Sequence, residues 1–592
     1  MSPFSLKRQL TVWGSALLVA STLPACHNRS PAADERPSLG AAQSVARDDD
    51  AAHAPEREEY VADRASAEHS VAAPAPAAPP ASALAGPVAR APAPQAAKKV
   101  SLGKAELHRR EPRPMKPSAD ALAGAPLESK PQDAAPAGGN TFEAWKANAF
   151  VETAKDPLST FAADVDTASY TVSRRYLVNG QLPPASAVRV EEFVNYFKFR
   201  YAPPETGAFA VHLEGAPSPF DAKRHFLRVG VQGKVVSRSQ RKPAHLVFLV
   251  DTSGSMHSED KLPLAREAIK VAVKNLNEND TVAIVTYAGN TRDVLPPTPA
   301  TDAKSIHAAL DSLTAGGGTA MGSGMELAYR HAVKKASGSV VSRVVVLTDG
   351  DANIGRNVSA NAMLDSIHKY TAEGVTLTTV GFGMGNYRDD LMEKLADKGN
   401  GNCFYVDSLR EAKKVFETQL TGTLEVIAKD VKFQVEFNPA AVRRYRLVGY
   451  ENRDVADHDF RNDKVDAGEI GAGHNVTAVY EVELTGEATE ALATVRVRAK
   501  APNGTEASER EFRFERTKLR DTLAQASPDF RFAVAVAATA DVLRDSPSAE
   551  GWSLATAEKL AEGATEGDAD RKEFVRLVTQ ARALKGASVR GR

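Results

Sequence analysis

Cysteine is almost missing from this chain: there are 2 in 592 residues, Cys26 and Cys403. So few exclude a disulfide-stapled scaffold and any zinc or iron–sulfur site built from several thiolates. Net charge is missing as well. The 74 basic and 75 acidic residues leave −1 at pH 7, so there is no global positive field of the kind that grips nucleic acid. The apolar run from Leu10 to Ala20 is too short for a bilayer span, which takes about 20 residues. What is present is ordinary: 43% hydrophobic and 25% charged residues, the balance of a soluble globular protein. The length allows about four domains.

Lys7 and Arg8 precede that apolar run, and Leu23-Pro24-Ala25-Cys26 follows it. A basic start, a short apolar core and a small residue before a cut point read as a secretory signal over 1–25. Its ending resembles a bacterial lipoprotein signal, with Leu three places and Ala one place before the cut and a cysteine just after it. That resemblance implies lipidation of Cys26. Without it, the segment reads as an ordinary signal with Cys26 incidental. His27 stands where such signals often carry a retention aspartate, which by analogy implies the outer membrane of a two-membrane cell envelope. Residues 26–139 are rich in Ala, Pro and Ser, as in Ala73-Pro74-Ala75-Pro76. With no sustained apolar period they read as a disordered tether. Within it, Lys104 to Lys116 is a basic run that reads as solvated.

Order begins near Asn140. In 140–206, Phe161 to Val165 reads as a strand and a helix opens after it, capped by Asp166 or Thr167. Val188 to Phe199 has helical spacing. In 207–240 the period becomes two, as in Phe209, Val211 and Leu213. From 241 to 424, apolar strand runs (His245–Val250, Val282–Tyr287, Arg343–Leu347, Val375–Val380, Cys403–Val406) alternate with amphipathic helices. These are Lys261–Leu276, Asp302–Leu313, Met321–Lys335, Asn361–Tyr370, Arg388–Ala396 and Leu409–Leu420. Such alternation predicts a Rossmann-like α/β module: a mostly parallel sheet with helices on both faces. Strands return in 425–516, as in Val431–Phe437 and Val476–Leu484. A hairpin-sized piece such as 207–237 cannot stand alone. The expected fold therefore joins it to 426–516 in a β-sandwich, with the α/β module inserted between them. Residues 517–592 read as helical, most clearly at Phe532–Leu543 and Arg571–Leu584. Cys403, in an apolar stretch, reads as a small buried hydrophobe.

One constellation carries chemistry. The run His245–Val250 stops at Asp251-Thr252-Ser253-Gly254-Ser255. A carboxylate and two hydroxyls at alternate positions then fall at the carboxyl end of the sheet, where open α/β sheets bind ligands. Gly316-Gly317-Gly318-Thr319 precedes a later helix, and Thr348-Asp349-Gly350 ends a later strand. Together these resemble the von Willebrand factor type A (VWA) domain and its metal-ion-dependent adhesion site. The matching positions are Asp251, Ser253, Ser255, Thr319 and Asp349. The resemblance implies that the serines, and often the threonine, bind a metal directly while the aspartates act partly through water. Hard oxygens suit Mg²⁺, with Mn²⁺ or Ca²⁺ as alternatives, and offer nothing soft for zinc or copper. His257, just past the motif, reads as a solvated loop residue, and Asp351 as a turn residue.

The flanks, in Asp156-Pro157-Leu158-Ser159-Thr160-Phe161, Asp164 to Tyr170 and Gly180 to Pro184, are similar to the N-terminal segment of a group of bacterial VWA lipoproteins, and 425–592 to its C-terminal segment. The function this implies is capture of a protein partner, unidentified in the sequence, whose Asp or Glu carboxylate completes the metal shell at a lipid-anchored envelope protein. Two alternatives remain: a structural envelope protein with a stabilising metal, and, behind it, a metal-dependent hydrolase. No His-Glu-x-x-His, phosphate-loop or Gly-x-Ser-x-Gly motif is found in the chain, so the expectation is of no enzyme. Asp164-Val165-Asp166 also fails the phosphatase pattern, because position 168 is Ala.

Overall fold

His245–Val250 is apolar at every position, so it needs cover on both sides. In the computed structural model, which describes residues 139–350, 363 and 369–590, it lies inside a six-stranded sheet. The strand order is Cys403–Val406, Thr376–Phe382, Val341–Thr348, Ala244–Asp251, Thr281–Tyr287, Thr291–Pro299. The first five are parallel and the last is antiparallel. Alternation along Ala244–Asp251 divides the core. Leu246, Phe248 and Val250 pack with Ile269, Ile306 and Phe416 on one face, and Val247 and Leu249 pack with Met321, Met325 and Leu395 on the other. Helices Leu262–Lys274 and Ala303–Asp311 therefore cover one side, and Met321–Val333 and Asp389–Lys398 the other.

Thr291–Pro299 does not read as a strand in the sequence because it carries Pro296, Pro297 and Pro299. It lies at the sheet edge, where one side of the strand has no neighbour to bond, and its pairing with Thr281–Tyr287 is irregular between Val282 and Ile284, where Pro296 and Pro297 fall.

The strands before and after this module join each other. Arg224–Gly233 pairs antiparallel with Asn475–Leu484, from Arg224 opposite Glu483 to Gln232 opposite Asn475. The sheet order is Val151–Glu152, Val442–Val448, Asn475–Leu484, Arg224–Gly233, Phe209–Pro217. A second sheet contains Ile470–Gly471, Val426–Phe437, Ala491–Lys500 and Ala507–Glu515, with Leu158–Ala162 also paired to Val426–Phe437. Leu227, Val229 and Val231 of one sheet meet Phe433, Val435 and Val495 of the other in one core. The α/β module is thus inserted into a sandwich. Helices Pro528–Leu543, Leu554–Glu562 and Ala569–Arg590 close the chain. Phe532 and Phe574 pack with Phe197 of the N-terminal segment. No helix among the described residues is long and apolar enough to cross a membrane.

Several local expectations are corrected. The strand is Leu158–Ala162 rather than Phe161–Val165, because its partner Val426–Phe437 sets its ends. The helix Ala168–Val178 has Thr167 at its N-cap without a capping side-chain bond. Asp166 instead accepts from the Cys403 N–H at 2.9 Å and from Arg453 at 3.1 Å. Val188–Phe199 shortens to Val190–Asn195. Leu409–Leu420 is broken by a wider turn at Lys414–Gln419. Leu554–Glu562 is a further helix within the stretch 517–592 expected to be helical. Cys403 is buried, and burial pushes its thiol well up from the ordinary range. The signal 1–25, Cys26, nearly all of the tether 26–139, Asp351 and most of Asn361–Tyr370 lie outside the described residues.

Candidate metal centre

The parallel strands deliver their carboxyl ends to one edge. Asp251 ends its own strand and is fully buried. Its Oδ1 accepts from the Ser253 N–H at 2.8 Å, which turns the chain sharply out of the sheet. Its Oδ2 accepts from the Thr348 hydroxyl at 2.7 Å and the Tyr287 hydroxyl at 3.1 Å. Those two residues end the strands on either side. The carboxylate is thus aimed by three neutral donors, two from neighbouring strand ends and one from the turn after its own strand. Burial, and then the nearby charge of Asp349, raise the Asp251 carboxyl to about 6.

The short turn Gly254–His257 follows. Ser253 Oγ and Ser255 Oγ lie 3.0 Å apart; Ser253 is buried and Ser255 exposed, so the pair leads from the interior to solvent. The glycine loop is tied to this turn by backbone. Gly254 N–H donates to the Gly317 carbonyl at 3.0 Å, and Gly316 N–H to the Thr252 carbonyl at 2.8 Å. Gly317 has φ +89°, a left-handed conformation that costs glycine little. Thr319, on the same loop, is buried.

Asp349 is fully buried, and its Oδ2 accepts from Lys261 Nζ at 3.0 Å. The same ammonium donates to Asn386 Oδ1 at 2.8 Å. Gly383, at φ +68°, makes room for the Lys261 stem: a Cβ there would collide with its Cε. Of the five expected positions, Asp251, Ser253 and Ser255 are joined by direct contacts. Thr319 is carried to their turn by loop bonds, and Asp349 acts on Asp251 through its charge. The sequence reading does not single out Tyr287, Thr348 (quoted only as part of its motif), Lys261 or Asn386. Strand-end position could have pointed to the first two, but only tertiary contact reveals the others.

The donor set fits a hard divalent cation. Among the described residues, no cluster of three or more His, Cys, Asp or Glu side chains converges as a metal site. The centre here has two carboxylates and three hydroxyls, a different set. It carries a buried carboxylate with only neutral donors and hydroxyl oxygens at its mouth, and a cation would meet oxygen alone.

A parallel sheet with helices on both faces and this strand-end constellation define a VWA-domain protein. The von Willebrand factor type A domain model matches residues 245–418, a von Willebrand factor model 136–228, and the model for the C-terminal part of the uncharacterized protein YfbK 422–584. The chain is 40% identical over 466 residues to the uncharacterized protein YfbK of Escherichia coli K12, covering 74% of this chain and 80% of that one. It belongs to the YfbK family. Uncharacterized protein sll0103 of Synechocystis is 26% identical over 227 residues, covering 38% of this chain and 52% of its own. Among solved structures, a von Willebrand factor type A protein from Catenulispora acidiphila is 19% identical with a TM-score of 0.40, covering 61% of this chain and 88% of that one. VWA domains generally mediate metal-dependent protein interactions and often bind a divalent metal.

Proposed function

We propose that this chain is a cell-envelope protein that captures a protein partner through a metal-dependent adhesion site. Asp251, Ser253, Ser255, Thr319 and Asp349 hold Mg²⁺, or Mn²⁺ or Ca²⁺ in its place. The bound cation supplies an electrophilic position that an Asp or Glu carboxylate of the partner completes. The role is binding without turnover. Lipidated Cys26 anchors the protein in the outer membrane, facing the periplasm or the surface.

The observation that carries the reading is the carboxylate of Asp251, buried beside Asp349 with only neutral donors, behind a pair of hydroxyls that reaches solvent. A second reading, a stabilising metal with no partner capture, draws support from the depth of the centre, where Asp251, Asp349, Ser253 and Thr319 are all buried. Crosslinking in intact envelopes separates the two. The wild-type chain yields a crosslinked partner that chelator and Asp251→Ala both abolish. Crosslinks of equal yield with chelator reject the adhesion reading.

A further inference from the structure

A second site lies on the sandwich, away from the residues of the metal centre. Phe209–Pro217 and Ala507–Glu515 are the terminal strands of the two sheets. Both contribute to a cleft of about 630 Å³, with Tyr201 and Arg228 in its wall and the segment 518–520 at its side. Five cationic side chains line it, against Glu214 and Asp529; Arg228 and Arg520 reach Glu214 at 3.0 and 3.7 Å, Arg200 reaches Asp529 at 3.2 Å and Arg513 reaches Glu515 at 3.5 Å, so the cleft keeps more cationic charge than its two acids match.

Both acids are already engaged. Glu214 accepts from Ser527 N–H at 2.8 Å, from Ser527 Oγ at 2.6 Å and from Arg228 Nη2 at 3.0 Å. Asp529 accepts from the Arg200 N–H at 2.7 Å and from Arg571 at 2.6 Å. Arg228 is only 5% exposed, and its Nε and Nη1 are buried with no hydrogen-bond acceptor among the described residues. Its guanidinium lies 5.2 Å from the Tyr201 ring and 5.8 Å from the Phe530 ring. Ring faces attract the charge, but they leave the N–H donors without an oxygen. Buried guanidinium donors left unpaired are costly. An incoming anion that accepts from Nε or Nη1 removes that cost. Tyr201 also stacks on His212, with centroids 5.1 Å apart and planes at 10°, which gives the cleft a flat wall.

The geometry points to an anion-binding site here, taking a carboxylate or phosphate group between Arg228, Lys518 and Arg520, with the body of the ligand against the Tyr201–His212 stack. The site is independent of the metal reading.

Calorimetric titration of the full chain with pyrophosphate and with citrate tests it. Divalent ions are removed beforehand on a chelating resin, and KCl keeps ionic strength constant so that general screening is the same in every run. Saturable binding of either probe is expected; pyrophosphate alone assigns a phosphate ligand, and citrate alone a carboxylate. Lys518→Glu with Arg520→Glu, both at the cleft rim, should weaken binding by about tenfold or more, and Arg228→Met should abolish it. If Arg228→Met does not fold, the rim variant decides. Failure of both probes to saturate, or unchanged affinity in the folded rim variant, overturns the proposal.

Discussion

Two buried clusters of acids in this protein are treated in opposite ways. Where the sandwich meets the C-terminal helices, Glu481 and Asp541 are both fully buried and both bind the equally buried Arg446, each at 2.9 Å. Arg224 adds a contact to Glu481 at 2.9 Å, and Arg544 links Asp541 and Glu451 at 2.8 and 2.9 Å. Every carboxylate there meets a guanidinium. In the α/β module Asp251 is as deeply buried, yet its three donors are a backbone amide and two hydroxyls. Matched charge holds modules together. The Asp251 carboxylate, met only by neutral donors beside a second acid that Lys261 reaches, is where the proposed cation would sit.

The largest effect is expected at Arg446. Arg446→Ala leaves two buried carboxylates without their shared cation and should cost about 3–5 kcal/mol, read as a lower urea midpoint that Mg²⁺ does not restore. At the metal centre the pattern reverses. Mg²⁺ at a hundred times its Kd should stabilise the wild type by about 2.7 kcal/mol, and Asp251→Ala should lose that thermal shift while keeping the fold. A normal Mg²⁺ shift in this variant would contradict the assignment of the site.

The same strand supplies a control of opposite sign. His245, near its start, is buried with Nδ1 2.7 Å from Thr281 Oγ1, and burial lowers it to about 4. Its folded value lies below its unfolded one, so the neutral ring contributes stability above pH 6.5. That contribution falls away as the pH drops from 6.5 through 4, by at most about 3 kcal/mol. His245→Asn should flatten the stability profile in this window; an unchanged slope assigns it to other groups. The smallest effect is expected at Lys261. Lys261→Met removes an ammonium that repels the incoming cation, so Mg²⁺ affinity should rise about tenfold, measured by titration calorimetry.

Much of this was legible in the residues. Leu246, Phe248 and Val250 on one face and Val247 and Leu249 on the other follow directly from an uninterrupted apolar run. Asp251, Ser253 and Ser255 stand out because three oxygen-bearing side chains end that run. The pairing of Arg224–Gly233 with Asn475–Leu484 was legible only by elimination, since neither partner is viable alone. Lys261 was not legible: its role depends on Asp349 and Asn386, both far along the chain, and on a glycine that clears its path. Thr291–Pro299 was hidden because proline argues against a strand wherever the edge position is unknown. Asp166 looked like a cap because local rules cannot see the Cys403 amide that claims it.

The insertion also governs the order in which the protein can be completed on the ribosome. Arg224–Gly233 finds its neighbour only when Asn475–Leu484 emerges, after the whole inserted module has been made. Until then the hairpin Phe209–Gly233 must wait with one flank uncovered. Pairing across so long a separation is slow, and an unpaired strand flank invites association with other chains. The module, whose strands and crossovers are close in sequence, can fold during that delay. A finished α/β unit then brings its own two ends together, so that closing the sandwich means joining ends already held near each other rather than searching with a loose loop.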